Sequence, residues 1–379
     1  MTSNYLYFSV LFLSGAMLSG APALGAELVF EESFDAQADW TGGMHQDSPS
    51  SRLPSRGDII PEGWSALRVD PTWAPSKGHP DRHESLEILE SNADKARGRQ
   101  GKSMVGWRDS YDPGWNRWNS ENLMLRYLPE RDEYYAEFWI TFSDEMIKTY
   151  YNHGLGTSKI FRIYAFNGDR EDPFKYFSEA TTPDFLWGVS GGTTYGMRNK
   201  LSFIVRGADL ANGDAPGMPY GLTGNGDLSL SYSYYDHIKE MAEDGRDPVL
   251  LDRLKGGTIS GDVSHIDQVF GNERHWTKVA FYVRMNSSPG ATDGVLMQWI
   301  DDERIFVNES IPWVRDGLNM VKWSAIGIGG NDYFNKYPNE LRHEEWYAID
   351  DFKVYDTIPF DLGGATSVLP SPPDNVEVY

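Results

Sequence analysis

Five cations fall in two short stretches of an otherwise acidic chain. Lys159 and Arg162 lie in Gly156-Thr-Ser-Lys-Ile-Phe-Arg-Ile-Tyr164, while Arg198, Lys200 and Arg206 lie in a run from Thr194 to Arg206 that holds no acidic residue. Downstream, Leu228-Ser-Leu-Ser-Tyr-Ser-Tyr-Tyr235 sets Tyr232 and Tyr234 two residues apart. That spacing puts both on one face of a strand, roughly 7 Å from each other. Lys, Arg and paired Tyr on neighbouring strands make a cleft able to neutralise a carboxylate and move protons. A guanidinium binds a carboxylate through two parallel hydrogen bonds, and a phenol within reach of a cation has its pKa lowered toward the working range. His153, six residues before Lys159, adds a group that titrates near neutrality. Trp115 and Trp118, flanked by Asn116 and Asn119, are suited to stacking on sugar rings.

The background charge sharpens this pattern. The chain has 379 residues, 34 basic and 56 acidic, for a formal charge of −22. Proteins that coat nucleic acid or anionic lipid need a surplus of Lys and Arg on at least one face, so neither partner is expected. An anionic ligand requires a local basic island, and the stretches around Lys159 and Lys200 supply one. With no cysteine in the sequence, disulfides, thiolate metal sites and a cysteine nucleophile are all ruled out. The acidic turn Asn167-Gly-Asp-Arg-Glu-Asp172 lacks the ligand spacing of a dedicated calcium loop and reads as a solvated turn. Retaining hydrolysis of a glycoside needs two close carboxylates. The nearest match to a Glu-x-Asp-x-x-Glu strand, Glu130-Arg-Asp132, has Tyr135 where the second Glu belongs, which disfavours a hydrolase.

The elements that must hold these residues are strands. From Glu27 onward the sequence runs in short alternating segments broken by Gly, Pro, Asn and Asp, which predicts an all-β antiparallel sandwich or jelly roll. Strands are expected at 28–34, 86–89, 103–107, 122–127, 134–142, 159–166, 200–206, 228–235, 277–285, 294–300 and 346–355. In the strand around 138, Ala136, Phe138, Ile140 and Phe142 share the core face, with Glu137, Trp139 and Thr141 on the other. Residues 40–82, rich in Pro, Gly, Ser and Asp, are expected to form long loops. Residues 236–275 form an insertion whose start has helical spacing behind Asp236, suited either to a lid or to a plain surface excursion. Residues 1–26 carry an apolar stretch and a small-residue cleavage site and are expected to be a removed secretory signal. The β domain then spans 27–362, and a Pro-rich tail covers 363–379. No other run approaches the roughly 20 apolar residues of a membrane helix, so the expected location is extracellular or periplasmic.

The order of a Lys-led strand, a strand ending in Arg206 and a strand with Tyr232-x-Tyr234 resembles polysaccharide lyase family 14 and its glucuronan-lyase relatives. The C-terminal half carries the resemblance furthest: His275-Trp-Thr-Lys-Val-Ala-Phe-Tyr-Val-Arg-Met-Asn286, Gly294-Val-Leu-Met-Gln-Trp-Ile-Asp301, Ala325-Ile-Gly-Ile-Gly-Gly330 and Tyr347-Ala-Ile-Asp-Asp-Phe-Lys-Val-Tyr355. The resemblance implies a concanavalin A-like jelly roll that cleaves a uronate polymer such as alginate or glucuronan by β-elimination. It implies Lys159, Arg206, Tyr232 and Tyr234 as catalytic residues. Arg162, Arg198, Lys200, His153, Trp115 and Trp118 are then the expected substrate contacts. Two departures stand out: Ser202 precedes Arg206 by four residues rather than two, and Ile160-Phe161-Arg162 replaces the family's Leu-Pro-Gly after the lysine. The scheme requires no metal, although a structural calcium near the chain ends through Glu32 or Asp350 stays open. The expected partner is an anionic polysaccharide, met by a monomer. A noncatalytic carbohydrate-binding protein of the same fold is the competing expectation.

Overall fold

The computed structural model describes residues 25–42, 60–70, 86–108, 121–146, 157–165, 180, 182–189, 197–204, 232–233, 275–330, 332–333 and 345–359. Its strands are β1 (Leu28–Glu32), β2 (Trp40–Gly42), β3 (Ala66–Asp70), β4 (Leu86–Ile88), β5 (Met104–Arg108) and β6 (Glu121–Arg131). Then follow β7 (Glu133–Phe142), β8 (Thr157–Ala165), β9 (Thr182–Val189), β10 (Met197–Ile204), β11 (Tyr232–Ser233) and β12 (Thr277–Arg284). The last five are β13 (Gly294–Ile300), β14 (Glu303–Ile311), β15 (Trp323–Gly330), β16 (Asp332–Tyr333) and β17 (Glu345–Tyr355).

They form two antiparallel sheets. The larger has nine strands in the order β14-β13-β12-β7-β17-β5-β4-β2, with β1 also paired to β17. The smaller has eight in the order β11-β10-β9-β8-β15-β6-β3, with β16 paired to β8. The chain crosses between sheets at β2 to β3, β3 to β4, β5 to β6, β6 to β7, β7 to β8, β11 to β12, β14 to β15 and β16 to β17, the alternation of a jelly roll.

Alternation in the sequence explains the layers. In β7, Ala136, Phe138, Ile140 and Phe142 are fully buried in the core between the sheets, while Glu137 and Trp139 are half-buried on the outer face. Phe161 of β8 reaches across the sandwich to Phe138 at 5.2 Å and Phe281 at 5.4 Å between ring centroids. On its own sheet it stacks on Phe185 of β9 at 5.6 Å. Each such ring contributes about 1.5–3 kcal/mol through burial, so Phe161 is a strong anchor for the strand that carries Lys159.

Two 3-10 turns, Glu90–Lys95 and Arg97–Arg99, brace the outer face of the larger sheet. The Arg97 guanidinium lies 4.4 Å from the Trp139 ring centroid and 2.6 Å from Asp351 Oδ2. Lys95 Nζ lies 5.5 Å from Trp107 and 5.7 Å from Trp346. Beneath them the buried carboxylate of Glu87 accepts hydrogen bonds from Trp107 Nε1 at 2.8 Å and Asn92 Nδ2 at 2.9 Å.

Within 40–82, expected to form long loops, the structure places two strands, β2 and β3. Both are short. β3, Ala66-Leu-Arg-Val-Asp70, forms the edge of the smaller sheet against β6, so an Arg and an Asp in so brief a run hid its period. Strands β9, β14 and β15 were also unanticipated. β15 ends in Ile-Gly-Ile-Gly-Gly330, where glycine weakens the strand signal although the position is central in its sheet.

Candidate functional site

Lys159 and Arg162 are three residues apart, a spacing that puts side chains on opposite faces of a regular strand. A β-bulge cancels that separation. Lys159 pairs with Leu186 of β9 and Phe161 with Phe185, so three residues of β8 face two of β9. Ile160, Phe161 and Ile163 all lie in the inter-sheet core. Lys159, Arg162 and Tyr164 are thereby turned to the other, outer face of the smaller sheet, Tyr164 within a separate apolar cluster there. Bulges commonly re-aim a side chain near a working site.

Register extends this face into two cross-strand rows. One runs Lys159 (β8), Leu186 (β9), Lys200 (β10), Ser233 (β11). At the strand spacing of about 4.8 Å, Lys200 stands about 10 Å from Lys159 across β9. The second row runs Ala66 (β3), Leu125 (β6), Gly327 (β15), Arg162 (β8), Asp184 (β9), Ser202 (β10). Arg198 is opposite Gly188, two positions along β10 from Lys200. Tyr232 is opposite Leu201, in the row beside that of Lys200 and Ser233.

The rows divide the face chemically. Toward β3, Ala66, Leu123, Leu125, Tyr164 and Ala325 form a buried apolar floor, with Tyr127 half-buried beside it. A Cβ on Gly327 would stand 3.0 Å from Leu123, Leu125 and Tyr164, so glycine there leaves the floor its close packing. Toward β10 the register positions of the two rows are held by Lys159, Arg162, Asp184, Lys200 and Ser202. Arg162 is only 2% exposed, whereas Lys159 is half-buried. Directly opposite Arg162 in this row stands Asp184 of β9, a carboxylate in register with the buried guanidinium.

Of the residues nominated from sequence, Lys159 and Arg162 are brought to one face and Arg198 and Lys200 occupy β10 positions in register with that face, whereas Tyr232 falls in the row of Leu201 and the core residue Phe185, which alternation assigns to the opposite face. Arg206, Tyr234, His153, Trp115 and Trp118 lie outside the described residues, as do 1–24, most of the 236–275 insertion and the tail. Sequence reasoning missed Tyr164 and Tyr127, the phenols on the same face as Lys159. Tyr164, two residues after Arg162, was signalled by strand alternation alone.

Other candidates have plainer roles. Glu130 and Asp132 lie at the turn between β6 and β7, where Asp132 pairs with Lys322 at 3.1 Å. The two carboxylates considered for calcium bind protein donors. Glu32 accepts from the Phe34 N–H at 2.6 Å and Gln37 Nε2 at 2.6 Å; Asp350 accepts from the Arg97 and Asp351 N–H groups at 2.9 and 2.8 Å. On the larger sheet, burial alone would lower the pKa of Lys278, but Asp302 at 2.9 Å and Glu137 at 3.0 Å outweigh it and raise it.

No family model matches the chain. A curated 1,4-alpha-glucan-branching enzyme of Aspergillus oryzae is 21% identical over 206 residues, covering 52% of this chain and 27% of that protein. The chain thus spans about a quarter of the length of that curated relative. Among solved structures, it is similar to a mutant of alginate lyase Aly36B in complex with alginate tetrasaccharide, at 11% identity and TM-score 0.44, covering 87% of this chain and 96% of that one. Alginate lyase vAL-1 from Chlorella virus is 10% identical with TM-score 0.38, over 67% and 84% of the two chains. Endo-beta-1,4-glucuronan lyase from Trichoderma reesei is 10% identical with TM-score 0.33, over 73% and 92%. TM-scores this low do not carry a reaction from one chain to another, and the sandwich is established by the strand pairing itself.

Proposed function

We propose that this chain is a secreted polysaccharide lyase that cleaves a uronate-containing polymer, alginate or glucuronan, by β-elimination. The observation that supports it most is the β8 bulge, which gathers Lys159 and Arg162 on one sheet face, with Lys159 in register with Lys200 of β10 across β9. In a chain of net charge −22, a local run of cations suits an anionic ligand.

In the proposed reaction the C6 carboxylate of a uronate lies against the cations, which offset its charge and make the adjacent C5 proton removable. A base takes that proton, the C5–H electrons form the C4–C5 double bond, and the C4–O bond breaks. The departing oxygen then receives a proton from an acid. Arg206 and Lys159 are assigned to the carboxylate and Arg198 and Lys200 to neighbouring sugars, while Arg162, 2% exposed, supports the face from beneath rather than touching a sugar. The assignment of Tyr232 and Tyr234 to proton transfer requires β11 to join in a register other than Tyr232 opposite Leu201. Residues 1–26 are the export signal in this reading. Among the described residues, no helix is long and apolar enough to cross a membrane.

The register of Tyr232 favours one second reading. It is opposite Leu201 rather than Lys200, and a noncatalytic carbohydrate-binding protein needs the cationic rows but no aligned phenol. Lys159→Ala and Arg206→Ala separate the two. A lyase loses turnover about a hundredfold or more in each variant, with an unchanged far-UV spectrum. Full retention of elimination by either variant removes that residue from the mechanism, and binding without elimination in the unaltered protein identifies the binding module.

A further inference from the structure

Lys159 is clasped from the side opposite β9 by an unusual stretch of backbone. The pairing of β15 with β8 ends at Ile328 opposite Phe161, and β16 resumes it with Asp332 opposite Ser158. Three residues of one chain segment therefore pass two of the other, at the same point where β8 bulges against β9. The passage is made by Gly329, with φ +87°, and Gly330, with φ +149°. Both values belong to regions that only glycine occupies readily.

Gly330 also touches the lysine directly. A Cβ built on it would stand 2.6 Å from the Lys159 carbonyl oxygen and 3.2 Å from the Lys159 Cβ. Contact at the first distance is not tolerated, and the obstructing atom is backbone, which cannot swing aside as a side-chain tip can. Any larger residue at 330 must push β8 at Lys159 while Ile160 and Phe161, both buried in the core and Phe161 packed among Phe138, Phe185 and Phe281, hold the two positions that follow. The displacement would therefore fall on Lys159 and not on the core.

We infer that Gly330 is a positioning residue that sets Lys159 on the outer face through close backbone approach. The inference rests on the lyase reading for its catalytic consequence, though not for its geometry. An error of about 1 Å in a catalytic group can cost a hundredfold in rate, so a glycine that fixes the lysine's Cα acts on turnover more than on binding.

The test compares Gly330→Ala with Gly317→Ala in the full chain. Gly317 has φ +82° with open space around its missing Cβ, so alanine there imposes backbone strain without touching the site. Two readouts are taken: elimination kinetics on the best uronate polymer, and the rate at which an acylating reagent labels Lys159 relative to Lys322, by peptide mass spectrometry. Gly330→Ala is expected to lower kcat tenfold or more with KM within twofold, and to change the Lys159 labelling ratio at least twofold. Gly317→Ala leaves both near the unaltered protein. In a Lys159→Ala background, Gly330→Ala adds no further loss.

Unchanged kcat and labelling in a folded Gly330→Ala variant overturn the inference, as does an equal loss in Gly317→Ala. If Gly330→Ala fails to fold, insertion of one glycine after Gly330 loosens the clasp without a Cβ or forced φ. Normal kcat and labelling in that variant overturn the inference, and a selective kcat loss with altered labelling supports it. If the unaltered protein eliminates no uronate polymer, the lyase reading fails, and the labelling ratio alone decides whether Gly330 positions Lys159.

Discussion

Asp350 should make the fold lose stability as pH rises from about 4 to about 7. It stands opposite Trp139 in the register of β17 and β7 and is only 5% exposed. Burial is the largest influence on its carboxyl and raises the pKa from 3.8 to about 7. The N–H groups of Arg97 and Asp351 pull it down, and the charges of Asp351 and Asp35 push it up. The Arg97 guanidinium is committed to Asp351.

The folded-state pKa exceeds the unfolded one, so between about pH 4 and 7 the folded chain binds the proton more tightly. The stability this contributes is fully present below the unfolded pKa and is gone once pH has passed the folded one. Between pH 5 and pH 8 the loss from this group amounts to about 2.5 kcal/mol. Urea unfolding of the unaltered protein and of Asp350→Asn at both pH values measures it. The asparagine variant should be less stable at pH 5, where its amide faces a backbone N–H, and should have a pH dependence flatter by about 2.5 kcal/mol. Equal changes from pH 5 to pH 8 in both proteins would refute a raised Asp350 pKa.

Three further outcomes follow from the same geometry. Glu87→Ala leaves Trp107 Nε1 and Asn92 Nδ2 without their buried acceptor and should cost about 2–3 kcal/mol in chemical denaturation. Gly106→Ala drives a methyl into the Tyr347 ring and should cost about 1–3 kcal/mol by overpacking, visible as a lowered Tm. Arg162→Met removes the buried cation while keeping its bulk. It should raise KM for a uronate polymer several-fold and flatten the dependence of KM on salt, because a screened charge has been removed from the face.

The strands were legible where one face meets the core and the other does not. β7 is the clearest case, since Ala136, Phe138, Ile140 and Phe142 occupy the core face that their alternation indicated. β15 was illegible because its glycines carry no side chain to mark a period, although Gly327 and Gly330 are there for what they sit against. The candidate site was half legible. The cations were visible as a basic island, yet strict alternation separates Lys159 from Arg162. What reunites them is a bulge set by the fit of Phe161 into an aromatic core and by glycine on β15. Those are tertiary causes, which no local pattern in β8 records. Tyr232 shows the converse: its spacing from Tyr234 was plain, but its register opposite Leu201 depends on where β11 joins the sheet edge.

Elimination on a uronate polymer is read by ultraviolet absorbance during incubation of the protein with alginate, glucuronan and other uronic acid polysaccharides. Elimination creates a conjugated 4,5-unsaturated uronate, whereas hydrolysis does not. The account predicts a rise on at least one of these polymers that disappears in Lys159→Ala. No rise on any of them, with binding to the same polymers intact, would contradict it and leave a carbohydrate-binding sandwich in its place.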